Sequence, residues 1–97
     1  MYGTIFRMKT IPGQQSNAIS HFKKRSAQDI EGAIAVYLLQ PETQNPETQN
    51  NELVGVVIFE DKAAYIANAN DSVQHEIFTK LRSCLSEDPE WTDGEYI

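Results

Sequence analysis

The sequence predicts a single α+β domain with the element order β-α-β-β-α-β. Three observations carry that prediction. The chain has 97 residues, room for one hydrophobic core and no second one. Apolar residues recur with a period of two at the start of the chain and with a helical period on either side of its middle. Between the two helical stretches lie two short apolar runs rich in β-branched residues, 33–39 and 53–59, bounded by Pro and Asn clusters. With 40% hydrophobic and 23% charged residues, the composition is that of a globular chain and not of a disordered one.

Each element follows in order. Residues 2–8 place Tyr2, Thr4, Phe6 and Met8 on one face and Gly3, Ile5 and Arg7 on the other, and Pro12-Gly13 ends the strand. Over 14–30, Ala18, Ile19, Phe22 and Ile30, with the small Ser26, fall on one stripe, which predicts an amphipathic helix closed by a C-terminal cap at Gly32. The two apolar runs are strands joined by a loop in which the unit PETQN stands twice in tandem, at 41–45 and 46–50. Polar, acidic and proline-bearing, this insert reads as a lengthened solvated hairpin loop, with a lid over a pocket as its functional alternative. Asp61 is a natural N-cap for 62–69, which is apolar all round and is expected to be buried. Asp71, with Gln74 three residues on, resembles a capping box and starts a second helix whose stripe is Ile77, Phe78, Leu81, Cys84 and Leu85. Pro89 and Gly94 bracket a tail, 90–97, with room for one short last strand.

In the two middle strands both faces are apolar. Ala33, Ala35, Tyr37 and Leu39 oppose Ile34, Val36 and Leu38, and Leu53, Val57 and Phe59 oppose Val54, Val56 and Ile58. Two helical regions cover one face of a sheet. The other face predicts a homodimer, sheet packed on sheet.

A formal charge of −6 repels nucleic acid and anionic membrane surfaces, and the run Lys23-Lys24-Arg25 reads as solvated helix surface. A lone Cys84, the absence of a basic-then-apolar leader and apolar runs too short for a bilayer make the cytoplasm the expected compartment.

Chemistry-bearing motifs are few. There are no paired cysteines, no His pair at helical spacing and no phosphate loop. His21 and His75 fall off the apolar stripes and read as surface residues, so no metal site is expected. Gln74 falls within its stripe, where a buried amide needs a partner; backbone at the helix start is the expected one. Phe6, Tyr37, Phe59, Phe78 and Trp91 are the candidate ligand-lining aromatics, with plain core packing as the competing reading. Tyr65, Gln74 and His75 are the candidate catalytic groups, and Cys84 is a small buried hydrophobe.

Strand one running into Ile11-Pro12-Gly13-Gln14, the passage Val56-Val57-Ile58-Phe59-Glu60-Asp61-Lys62-Ala63-Ala64-Tyr65, and Pro89-Glu90-Trp91 before the last strand together resemble the antibiotic biosynthesis monooxygenase branch of the dimeric α/β-barrel superfamily. That resemblance implies a ferredoxin-like protomer with an antiparallel sheet, a homodimer, and oxygenation of an aromatic or quinol-like small molecule without a cofactor. A non-catalytic dimeric module that binds a small apolar ligand, or serves in assembly, is the alternative. Haem-degrading members of the branch carry an Asn in strand one, a Trp early in helix two and a His further along it. Those positions hold Phe6, Asn68 and Phe78 here, which argues against haem degradation. Tyr65, Gln74 or His75 would then position or deprotonate a phenolic hydroxyl.

Overall fold

A computed structural model describes residues 1–42 and 51–97. Four strands, β1 (Tyr2–Lys9), β2 (Ala33–Leu39), β3 (Glu52–Phe59) and β4 (Glu90–Glu95), alternate with three helices, α1 (Gln15–Phe22), α2 (Lys62–Ala69) and α3 (Ser72–Arg82). The sheet is antiparallel throughout, in the order β2-β3-β1-β4. This is the predicted ferredoxin-like α+β arrangement, its second helical region divided into α2 and α3.

Register decides which side chains share a face. Thr4 pairs with Val57 and Asp93, and Phe6 pairs with Gly55 and Trp91, so these residues point together toward the helices. The core forms there, from Phe6, Met8, Ala18, Leu53, Leu81, Cys84 and Leu85. Ile5, Val56 and Tyr37 share the opposite face. There Tyr37 and Leu39 are 63% and 60% exposed and Ile5 is 42% exposed, with nothing over them in the isolated chain. A β-bulge between Ala33 and Ala35 pairs Ala33 with Phe59 and Ala35 with Ile58, which breaks the simple alternation expected of that strand.

The predicted caps at Asp61 and Asp71 are present. Asp61 Oδ1 accepts the Ala64 N–H at 2.8 Å, and Asp71 Oδ1 accepts those of Val73 and Gln74 at 2.7 and 3.4 Å. Each such cap stabilises its helix by about 1 kcal/mol.

Three expectations are corrected. The first helix stops at Phe22 instead of running to residue 30. Ser26 donates from its N–H and its hydroxyl to Asp29 Oδ2 at 2.9 and 3.0 Å. That local pairing competes with helical geometry and holds a single 3-10 turn, Ala27–Asp29, in its place. Gly32 is therefore no helix cap: at φ +79° it turns the chain into β2, and a Cβ there would lie 2.6 Å from Ala64 Cβ. Finally, α2 is not buried. It meets β1, β3 and α3 through its half-buried Ala64, Tyr65 and Asn68, while Ala63, Ile66 and Ala67 are exposed. A helix of this length at one end of the sheet has only one side to bury.

The PETQN repeat and the lid reading of its loop fall on 43–50, outside the described residues, save for Pro41 and Glu42.

Candidate functional site

Between the helix-facing side of the sheet and the helices lies a cavity of about 490 Å³, a size suited to a small organic molecule. Thr4, Phe6, Val57 and Val36 form its floor. Trp91 and Asp93 of β4 close one side; Tyr65, Asn68, Gln74 and Phe78 descend from α2 and α3. His75, Trp91 and Asp93 are exposed residues and form the rim.

The walls are aromatic. The Phe6 and Trp91 rings lie 4.7 Å apart between centroids, and Phe78 stands 6.0 Å from Trp91. Phe6 reaches this position because its cross-strand neighbour is Gly55: a Cβ on Gly55 would overlap the Phe6 ring. Flat faces set in this way suit a planar ligand, with offset or edge contacts supplying about 0.5–1.5 kcal/mol per ring pair beyond area burial.

Two polar pairs interrupt the apolar lining. Tyr65 Oη donates to Asp93 Oδ1 at 3.0 Å, and its ring meets Tyr2 and Phe59 edge-on at 5.5 and 5.6 Å. Burial, followed by the hydrogen bond to the Asp93 carboxylate and its charge, pushes the Tyr65 hydroxyl up to about 12 from 10.0. Tyr65 is thus a neutral donor at physiological pH, able to orient an oxygen but not to remove a proton. The second pair is Gln74 and Arg25: Gln74 Oε1 accepts from Arg25 Nη1 at 3.3 Å.

The raised hydroxyl has a measurable consequence. The protonated form is favoured by folding, so its stabilisation is complete below about pH 10 and is lost as pH rises through about 12. Melting temperature measured across that window should fall more steeply for the wild type than for Tyr65→Phe, which has no proton to lose; parallel curves would contradict the assignment.

Among the candidates singled out in the sequence, Tyr65, Gln74, His75, Phe6, Phe78 and Trp91 line this cavity. Tyr37 does not: it shares the open sheet face with its partner Val56, on the side away from the cavity. Phe59 is fully buried beneath Tyr65 and supports that ring from below the cavity. Gln74 finds its partner in a side chain and not in backbone at the helix start, and the Asp71 cap is consequently no full capping box. Arg25, read as solvated surface, lines the cavity instead. No motif marks Asp93, Thr4 or Val36 as a site residue, and only the strand register brings them to the cavity. Phe6, Asn68 and Phe78, the positions compared with haem-degrading enzymes, all meet here.

Among the described residues, no group of three or more His, Cys, Asp and Glu is placed to hold a metal ion, and no helix is long and apolar enough to cross a membrane.

No family model and no curated protein matches the sequence. Solved structures do match. A protein from Nitrosomonas europaea assigned to the antibiotic biosynthesis monooxygenases superposes with a TM-score of 0.82 at 11% identity, over 100% of this chain and 99% of that one. Another so assigned, from Deinococcus radiodurans, gives 0.80 at 8% identity over 99% and 92%. This chain has the antibiotic biosynthesis monooxygenase-like fold. A protein from Arabidopsis thaliana shares it as well, with a TM-score of 0.80 at 14% identity over 100% and 96% of the two chains. At such identities the likeness carries the fold, and a reading of the chemistry must come from the cavity.

Proposed function

We propose that the protein works in the cytoplasm as a homodimer and binds a planar aromatic or quinol-like molecule in the cavity, which it oxygenates without metal or flavin. The observation that supports this reading is the arrangement of Phe6, Phe78 and Trp91 as aromatic walls with the Tyr65–Asp93 pair facing the same space.

The chemistry needs little from the protein. An electron-rich ring bearing a phenol and an activated CH₂, once deprotonated, can hand electrons to dioxygen directly. The CH₂ becomes a carbonyl that keeps one oxygen atom, the second leaves as water, and the substrate supplies all four electrons. Asp93 is the carboxylate placed to take the phenolic proton, and Tyr65 holds that carboxylate in position. The walls align the ring and exclude water from it. Gln74 and His75 border the same space and complete the set of groups able to contact the ligand.

A second reading, a non-catalytic ligand-binding module, is favoured by one observation: Asp93 already accepts a hydrogen bond from Tyr65.

One experiment separates them. The protein is incubated with haem and a reductant, and in parallel with anthrone- and quinol-type compounds, following the Soret band and oxygen uptake. The Soret band is expected to persist without iron release, because Phe6 cannot hydrogen-bond to bound oxygen and Phe78 cannot ligate iron. Oxygen uptake with a quinol is expected to depend on the protein and to fall about 100-fold or more in Asp93→Asn. No turnover of any quinol tried would leave the binding module as the reading.

A further inference from the structure

Arg25 and Asp93 are the two ionic side chains among the described residues that line the cavity. They come from opposite edges of the sheet. Asp93 stands on the edge strand β4, while Arg25 comes from the connection after α1, just before the 3-10 turn that packs on β2 at the other edge.

The guanidinium is held in place by neutral groups. Nη1 donates to Gln74 Oε1 at 3.3 Å and Nη2 donates to the Asp29 carbonyl oxygen at 3.2 Å. The carboxylate of Asp29, on the same segment, accepts from the N–H and hydroxyl of Ser26 and makes no ion pair with the guanidinium, although it feels its charge. No ion pair in the described structure includes Arg25. A cation oriented by two neutral acceptors, half-buried at an apolar cavity, keeps its charge available to an occupant. The cavity lining thus carries one charge of each sign, Arg25 at one end and Asp93 at the other, within a chain of net charge −6.

We propose that Arg25 makes the cavity selective for aromatic ligands that carry an anionic substituent, a carboxylate above all, in addition to a hydroxyl. Resting on the reading of the cavity as a ligand site, this narrows its ligand class. The carboxylate meets the guanidinium, with the Gln74 amide N–H₂ as a second donor, and the hydroxyl meets Asp93 across the ring walls. Neutral aromatics of the same outline lack the first contact.

The test uses a matched pair of probes, 6-hydroxy-2-naphthoate and 2-naphthol, titrated calorimetrically into the full chain at neutral pH, where both hydroxyls are protonated. The indole N–H resonance of Trp91, the one tryptophan of the chain, reports entry into the cavity. The naphthoate is expected to bind about 10- to 100-fold more tightly than the naphthol. Arg25→Gln is expected to erase that preference and Arg25→Lys, which keeps the charge without the planar fork, to retain part of it. Melting curves of both variants show whether they fold; if Arg25→Gln unfolds, the naphthoate preference in the wild type and its decline with salt still decide the matter. Equal binding of the two probes, with the Trp91 resonance shifted by both, would overturn the role of Arg25 and leave the ligand site standing. If neither probe binds or moves that resonance, the ligand site itself is refuted, and the role of Arg25 with it.

Discussion

Gly3→Ala is expected to destabilise the fold by about 3 kcal/mol, lowering the melting temperature by roughly 12–24 °C for a domain of this size. Gly3 lies in β1, with a strand on each side, paired with Ile58 and Gly94. A Cβ there would overlap the Val57 carbonyl oxygen. What must give is backbone, and backbone of the strand pairing that holds the sheet together, so relief by a side-chain rotation is closed off. Gly94 provides the control from the same sheet: nothing lies within 4 Å of a Cβ built on it, and Gly94→Ala should melt close to the wild type. Indistinguishable melting curves for the two variants would show that β1 and β3 have slack at Gly3 that the structure does not display.

The open face of the sheet leads to the second large effect. Ile5, Tyr37 and Leu39 are exposed beside the half-buried Val56 on one sheet face, an apolar patch of the kind that marks an interaction surface. A second copy laid face to face would cover it. If the proposed dimer forms through this face, Ile5→Glu, placing a charge near its centre, is expected to leave a monomer at micromolar concentration, a loss of about 1000-fold or more in association. The isolated fold should survive, because Ile5 is 42% exposed before any partner arrives. Light scattering coupled to size exclusion reads the result. A wild type that runs as a monomer would refute the assembly, and a variant that stays dimeric would place the interface elsewhere.

The strands, the order of elements and the two Asp caps were legible because they rest on local period and on side chains that bond to their own helix ends. The cavity was only half legible. Its aromatic residues stand in apolar patterns, but the same pattern describes a core. For Tyr37 the period-two alternation separates it from Val36 without saying which of the two turns inward; that depends on pairing with Val56 and Val57 across the hairpin. Arg25 was hidden by the assumption of one continuous helix to residue 30. On that wheel it faces solvent, whereas the break after Phe22, made by the Ser26–Asp29 pairing, turns it toward Gln74. Asp93 sits in the sequence Trp-Thr-Asp-Gly, which carries no signal of its own. It becomes a candidate acid–base group only because antiparallel register sets it beside Thr4 and under Tyr65, residues about ninety and thirty positions away.

Gly55 leaves a space that the Phe6 ring fills. Put differently, two adjacent strands share one allotment of volume at the cavity floor, and neither position can be varied alone. A larger residue at position 55 has to be matched by a smaller one at position 6, which would move the aromatic floor from β1 to β3 and shift the ligand sideways by about one strand spacing, roughly 5 Å. In the descendants of this sequence those two sites should therefore covary, and a swap between them would relocate specificity without any change at Tyr65, Asp93 or Arg25.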